Sequence, residues 1–356
     1  QPLNIGWLAP GLTAAALLVA VALAAFLALW SSAPEAAWRS VFSDSYLWHV
    51  IRFSFWQAFL SALFSVVPAI FLARALYRRR FPGRTLLLRL CASYTGILMS
   101  SLFVFIIVCA FDGYFKSGPS LFGSVWNPEQ GEFGIAPMVW ATVLLSLSAA
   151  ALGWVTALGC CCFIHGLAPR RAALLLSAVL RFMTAVPTVV YGFASVFLLV
   201  PLIREGLGGS GFCWLSASLV LSLLVTPTMV ISMESAVGEV EDETSLTAAA
   251  LGFTPEQNLT HVVLPASKEW LWSSAVLGFG RAAGDTLIPT MLAGNAVQYA
   301  LSPLDAMRSL TAHIGLVLSS DVGGTAYLSL FVAGGILLAI SITANILFRL
   351  LRRRAI

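Results

Sequence analysis

Long, uninterrupted apolar runs dominate the pattern of residues along this chain. Residues 12–29, LTAAALLVAVALAAFLAL, contain no charged side chain. A helix needs about 20 apolar residues to cross the hydrocarbon core of a bilayer. Runs of this length predict eight spanning helices. They cover residues 8–30, 51–75, 86–111, 136–163, 185–202, 214–233, 271–293 and 327–348.

Composition supports a membrane protein. Hydrophobic residues make up 59% of the 356 residues, and charged residues only 10%. Soluble domains carry about 25% charged residues, so the surplus apolar surface here requires lipid to cover it. Helices satisfy every backbone hydrogen bond internally, which is what a lipid environment demands. The predicted fold class is therefore an all-α polytopic membrane protein.

Arginine clusters predict the orientation, because basic residues concentrate on the cytoplasmic side. With eight spans, three clusters fall on one side, so both termini should be cytoplasmic. The clusters are Arg74, Arg78, Arg79, Arg80 and Arg84; Arg170, Arg171 and Arg181; and Arg349, Arg352, Arg353 and Arg354. The formal net charge of +4 then reflects topology and gives no reason to expect nucleic-acid binding. The first span could instead be a signal peptide, but no basic residue precedes it, which favours a retained helix.

The sequence offers no catalytic, metal or cofactor constellation. Its six cysteines lack metal-ligand spacing, and its four histidines are far apart. Lys116 and Lys268 are the only lysines, and neither belongs to a Gly-x-x-x-x-Gly-Lys phosphate loop. Any ATP that drives this protein should therefore be hydrolysed by another subunit. A membrane enzyme is the least supported class.

One predicted inner segment is unusual. Residues 234–270 carry seven acidic residues and one lysine, whereas basic residues normally dominate on the cytoplasmic side. An Ala-rich helix over 244–251 should end at Gly252. Thr254 and Gln257 have capping-box spacing, with a proline between them, and predict a second short helix to about Val263. This arrangement suits a docking element, although an ordinary connecting loop is the alternative.

The same segment resembles the signature loop of permeases in binding-protein-dependent ABC importers. Gly252 is followed ten residues later by Val262, and then by a Val-Leu-Pro run, as that loop requires. The loop's Glu-Ala-Ala positions hold Leu246, Thr247 and Ala248, so the leading glutamate is absent. The resemblance implies that a coupling loop over 235–270 contacts an ATPase. Its expected contact residues are Thr247, Ala248, Gly252, Phe253 and Pro265.

Three further stretches, 122–146, 185–203 and 276–296, resemble phosphate-specific ABC importer permeases. The most diagnostic runs are PTVVYG (187–192) and GRAAGDT (280–286), with Asp285 where the family usually has Glu. The resemblance implies a six-helix permease domain over 93–356 in a bacterial inner membrane. It also implies three kinds of partner: a second permease subunit in a homo- or heterodimer, two cytoplasmic ATP-binding subunits, and a periplasmic or extracellular substrate-binding protein.

Residues 1–92 do not fit the phosphate family. The stretch 45–84 resembles the beginning of a thiamine ABC importer permease, and the match stops near Ala92. The chain is thus predicted to join a two-helix leader to a permease domain. Inorganic phosphate is the predicted substrate, and thiamine or another oxyanion is the alternative.

Arg281 and Asp285 are the candidate substrate-path residues, together with Thr286 and Tyr191. A charge at mid-membrane costs about 2.5–3.5 kcal/mol on insertion scales, so such residues are rarely incidental. Their spacing of four predicts one helix face, with Arg281 contacting an anion and Asp285 balancing it. A structural ion pair that locks helices together is the alternative. A stand-alone secondary transporter would explain this pair equally well, but not the inner segment.

Overall fold

The computed structural model describes residues 45–78, 84–318 and 324–353. The predicted first span, over 8–30, lies outside these residues. The chain divides into two compact units. The described parts of the first unit are 45–78 and 84–106, and those of the second are 107–318 and 324–353.

Helices make up most of the described chain. The longer ones are α1 (Ser45–Arg78), α2 (Arg84–Ser117), α3 (Ala136–Cys162), α4 (Arg170–Ala185), α5 (Thr188–Leu207), α6 (Trp214–Ala250), α9 (Lys268–Ala283) and α12 (Thr325–Arg353). The shorter ones are α7 (Pro255–Asn258), α8 (Leu264–Ala266), α10 (Leu287–Leu292) and α11 (Leu310–Val317). Within the described residues, six of these helices are long and apolar enough to cross a membrane: α1, α2, α3, α5, α6 and α12.

The first unit consists of α1 and most of α2, and the boundary between the units falls inside α2. Within Trp48–Val67 and within Leu88–Ser117, the most apolar stretch of 18 residues buries none of its residues. Large side chains such as Phe53 and Phe64 are more than half exposed. Helices that are apolar and exposed in this way are suited to a lipid environment.

Close contact between α3 and α6 forms the centre of the second unit. Small side chains let the two helices approach: a Cβ on Gly153 would lie 2.9 Å from Val225 Cγ2. Hydroxyl pairs join the same helices, with Oγ1 of Thr156 and Thr226 3.0 Å apart. Small residues and interhelical hydroxyl bonds are the usual means of helix association in lipid, where the hydrophobic effect gives no drive.

Helix α9 packs against this centre through aromatic and small residues. The Trp154 indole N–H donates to the Leu271 carbonyl at 2.8 Å. The rings of Trp154 and Trp272 stack with centroids 4.8 Å apart. Gly278 lies directly against the Met229 side chain, in space that a Cβ would occupy. The helix is thereby fixed against both α3 and α6.

The predicted seventh span, over 271–293, is wrong as a continuous helix. Helix α9 ends at Ala283 and α10 begins at Leu287, with a polar break between them. Pro289 explains the position of the break, because its ring would clash with the carbonyl of residue 285 in a continuous helix. The Asp285 carboxylate instead accepts the Ile288 N–H at 2.9 Å and starts α10.

A small hairpin closes one end of the second unit, hereafter the hairpin end. Strands β1 (Trp126–Asn127) and β2 (Glu132–Phe133) pair antiparallel. The Trp126 ring meets His313 of α11 edge to face, with centroids 4.5 Å apart. The first four residues of α11 are buried, so this short helix packs into the second unit.

Helix α4, which lies between the third and fifth helices, has no counterpart among the predicted spans. Leu176, Leu180 and Met183 are buried at helical spacing, while Arg171 and Arg181 are exposed. This is the pattern of an amphipathic helix. Helix α4 approaches α6 through Ser177, whose hydroxyl lies 3.4 Å from Glu234 Oε1.

Candidate functional site

The predicted coupling segment begins as part of a long helix. Helix α6 runs without interruption for 37 residues, from Trp214 to Ala250. The sequence predicted a span ending near Met233 and a separate helix starting at Thr244, and that division is wrong. Residues 234–250 contain no proline and only one glycine, so nothing in them ends a helix.

Gly252 ends α6 as predicted. Its φ is +81°, in the left-handed region that favours glycine. The Gly252 N–H donates to Ala249 O and the Phe253 N–H to Ala248 O, both at 3.0 Å. These two bonds form a Schellman motif and satisfy carbonyls that the helix end leaves open. The space around Gly252 is empty: an added Cβ would meet nothing within 4 Å.

The second helix of the segment starts with the predicted capping box. Thr254 Oγ1 accepts the Gln257 N–H at 3.2 Å, and Gln257 Oε1 accepts the Thr254 N–H at 2.9 Å. Helix α7 then passes into a π-helical turn, Leu259–Val263, and into α8. The helical stretch therefore reaches Ala266, three residues beyond the predicted end. It includes Pro265, which is tolerated in a first helical turn.

The turn around Gly252 presents apolar side chains outward. Leu246 is 83% exposed, Leu251 70% and Phe253 40%. Among the other predicted contact residues, Thr247 and Pro265 are exposed, whereas Ala248 is buried. Ala248 therefore packs within the segment. The contact residues expected from the sequence did not include Leu246 and Leu251, because their exposure becomes apparent only in the structure. We call Leu246, Leu251 and Phe253 the apolar turn.

The candidate path residues lie around the break between α9 and α10. Arg281 is exposed on the last turn of α9, and Asp285 follows the end of that helix. The prediction that they share one helix face is therefore wrong, and no salt bridge joins them in the part of the chain that the structure describes.

Neighbouring helices hold this break in place. The Thr311 hydroxyl of α11 donates to the Asp285 carbonyl at 2.8 Å. The half-buried Tyr191 of α5 donates its hydroxyl to Met183 O at 3.0 Å. Thr286 is exposed, and its carbonyl accepts the Thr290 hydroxyl at 2.6 Å. Arg281, Asp285 and Thr286 thus lie together at the break, whereas the Tyr191 hydroxyl is engaged with Met183 O on the helix before α5.

Within the described residues, no group of three or more His, Cys, Asp or Glu side chains is arranged to hold a metal ion. The chemistry available at the break is therefore that of a guanidinium, a carboxylate and hydroxyl groups, which suits transient contact with an anion.

Three curated proteins show what the chain is similar to. The thiamine transport system permease protein ThiP of Salmonella typhimurium is 56% identical over 149 residues, which are 41% of this chain and 27% of ThiP. The probable ABC transporter permease protein YqgH of Bacillus subtilis is 32% identical over 241 residues, 64% of this chain and 75% of YqgH. The phosphate transport system permease protein PstC of Haemophilus influenzae is 25% identical over 276 residues, 72% of this chain and 87% of PstC.

The extent of these matches differs. The chain spans 27% of the length of the thiamine permease, but 75% and 87% of the other two relatives. Residues 157–356, more than half of the chain, match the family model described as binding-protein-dependent transport system inner membrane component. These residues include α5, α6, the Gly252 turn and the α9–α10 break. The chain therefore belongs to the family of inner membrane components of binding-protein-dependent transport systems.

Proposed function

We propose that this chain is a permease subunit of an ABC importer that moves inorganic phosphate across the membrane, with ATP hydrolysed by a partner subunit. The observation that carries the proposal is the apolar turn. It combines a left-handed Gly252, a capping box and three exposed apolar side chains in a segment that is otherwise acidic. Exposed apolar side chains of this kind, with polar residues around them, mark a protein-binding site.

The proposed route of coupling follows from the continuity of α6. A cytoplasmic ATPase subunit docks on the apolar turn, and ATP binding displaces that turn. Because α6 has no break between the turn and the centre of the unit, the displacement reaches the contact between α6 and α3. It also reaches α9, whose Gly278 lies against Met229 of α6. Movement there opens and closes the path beside the α9–α10 break.

The nature of the break supports an anion as substrate. Non-helical backbone at membrane depth is tolerated where it is buried in protein or lines a water-filled cavity. Arg281 brings an exposed cation to this break. Its planar guanidinium can donate two parallel hydrogen bonds to a phosphate group. Asp285 lowers the local positive charge, so that the anion is released after it binds.

The complete transporter requires more subunits than this chain. We propose a second permease in a homo- or heterodimer, two cytoplasmic ATP-binding subunits and an external substrate-binding protein. Residues 93–356 act as the transport domain and residues 1–92 as a leader. Both termini lie in the cytoplasm, on the side of the arginine clusters.

Thiamine is the second candidate substrate, and the 56% identity to ThiP favours it. Thiamine carries a positive charge on its thiazolium ring, and Arg281 would repel that charge. The break therefore favours phosphate. A stand-alone secondary transporter would need neither the apolar turn nor ATP.

The test is uptake by proteoliposomes that contain this chain with the ATPase, second permease and binding-protein subunits of its own cell. We expect accumulation of labelled phosphate with ATP, and none with ADP. Labelled thiamine serves as the parallel substrate. Uptake of thiamine but not phosphate would overturn the substrate assignment. Phosphate uptake driven by an ion gradient without ATP would overturn the class of transporter.

A further inference from the structure

The turn that follows α3 also contacts the coupling segment. The π-helical turn Phe163–Leu167 follows α3 directly and contains His165 and Gly166. His165 Nδ1 lies 2.6 Å from Glu241 Oε2 of α6. The histidine side chain is 13% exposed and the glutamate side chain 34%. A hydrogen bond to a carboxylate from a mostly buried donor is among the stronger polar contacts in proteins.

The same turn also touches the far side of the segment. Gly166 lies against Leu259 so closely that a Cβ on it would overlap the Leu259 side chain. Leu259 is itself buried. On the α6 side, a Cβ on Gly238 would lie 3.6 Å from His165 Cε1. The turn therefore contacts both arms of the coupling segment, α6 before Gly252 and the π turn after it.

This arrangement divides the acidic residues into two groups. Glu241 is directed toward His165, whereas Asp242 and Glu243 are exposed. Glu241 is thus engaged inside the permease and is not free for a partner. His165 Nε2 is buried and has no hydrogen-bond partner among the described residues, so the Glu241 contact is the polar interaction that fixes this ring.

We propose that His165 and Gly166 are positioning residues for coupling. They hold the two arms of the segment at a fixed angle and connect their movement to α3. The inference rests on the proposed function. A displacement of the apolar turn then acts on α3 directly, through the turn at its end, as well as through α6. Because α3 and α6 move together, their Thr156–Thr226 contact is preserved during the cycle.

The alternative is a contact that only stabilises the fold. A coupling role and a purely stabilising role differ in their effect on the ratio of ATP hydrolysed to phosphate transported. A stabilising contact changes the amount of complex but not this ratio. The variants are His165→Ala, Glu241→Gln and the pair combined, measured per assembled complex. We expect each single variant to raise the ratio by about twofold or more, the low end of coupling energies between residues in contact.

The double variant should resemble either single variant, because both remove the same contact. His165→Asn retains a side-chain N–H near the Nδ1 position, so its ratio should stay close to that of the wild type. This variant serves as the comparison if the complex assembles poorly with alanine. Gly166→Ala should also raise the ratio, since its Cβ would push against Leu259. The matched control is Gly159→Ala on α3, where a Cβ meets nothing within 4 Å. Glu205→Gln neutralises an exposed acid on α5 as the charge control.

Three results would overturn the proposal: an unchanged ratio in assembled His165→Ala, single effects that multiply in the double variant, or an equal effect in the controls. A wild-type complex that fails to take up phosphate would instead contradict the substrate assignment. In that case ATP hydrolysis stimulated by the binding protein replaces the ratio as the readout. His165→Ala should then lower the stimulation while basal hydrolysis stays constant, and unchanged stimulation would overturn the proposal.

Discussion

Gly252 offers the sharpest test of the coupling segment. At a φ of +81° a side chain costs about 1–2 kcal/mol relative to glycine, and a β-branched one more. No atom lies within 4 Å of the added Cβ, so the cost comes from the backbone and not from a collision. In Gly252→Val the turn can relax only by leaving the left-handed region. That change would break the Gly252 and Phe253 hydrogen bonds to α6.

The expected consequence is loss of coupling without loss of insertion. A penalty of about 1–2 kcal/mol reduces the population of the correct turn by a factor of about 5–30. Gly252 lies beyond the last residue of α6, so the variant alters the end of this helix and leaves its apolar part unchanged, and the complex should still assemble. The assay compares phosphate uptake with ATP hydrolysis in the same proteoliposomes. Uptake per ATP should fall by about fivefold or more in Gly252→Val.

Two variants make this test specific. Gly252→Asn should keep most of the uptake, because asparagine tolerates the left-handed conformation. Gly131→Val is the matched control: its φ is +75°, its added Cβ also meets nothing within 4 Å, and it lies in the hairpin. Normal uptake per ATP in Gly252→Val, or an equal loss in Gly131→Val, would refute the reasoning.

Three further predictions concern the path, the hairpin end and the topology. Arg281→Ala should abolish phosphate uptake by assembled complexes, with weak residual uptake in Arg281→Lys. Combining Arg281→Ala with Asp285→Asn, which keeps an acceptor for the Ile288 N–H, should not restore uptake, and recovery would indicate a structural clamp. Burial, followed by the charge of Arg308, lowers the pKa of His313 to about 4. The contribution of His313 to the free energy of unfolding should therefore be constant above about pH 6.5. It should fall by about 1.4 kcal/mol for each pH unit as the pH is lowered from about 6.5 to 4, because the unfolded chain binds the proton first. Thermal unfolding of the wild type and His313→Gln checks this, and an identical slope in both would contradict it. Reporter fusions after residues 171 and 354 should both report cytoplasm, and an external signal at either would contradict the predicted orientation.

The coupling turn could be predicted because its determinants are local. Gly252 sets the left-handed turn, and Thr254 and Gln257 complete a capping box within four residues. Such interactions depend on neighbours in sequence, so a spacing rule finds them. The same holds for the six long helices, whose apolar runs are visible without any knowledge of packing.

The break in the predicted seventh span was missed because hydropathy counts apolar residues and ignores backbone geometry. The signal was present in the sequence, since Pro289 stands four residues after Asp285. Helix α4 was missed for a related reason. Its arginines were assigned to topology, and the buried spacing of Leu176, Leu180 and Met183 was not considered.

Contacts between distant residues could not be predicted from a single sequence. His165 and Glu241 are 76 residues apart, and neither has a neighbour that indicates the other. The same is true of Thr311 and Asp285, which are 26 residues apart. Such pairs depend on how α3, α6 and α11 pack, which is a property of the folded unit.

The single proline within α6 has a mechanical consequence. Pro227 cannot donate to the carbonyl four residues earlier, so it is the most compliant point of the helix. At about 1.5 Å per residue, the arm from Pro227 to Ala250 is about 35 Å long and the arm to Trp214 about 20 Å. A bend of about 5° at this residue would shift the Gly252 end by about 3 Å while the arm to Trp214 stays in place. The two arms of α6 can therefore move separately, and the arm that carries Gly252 makes the larger displacement.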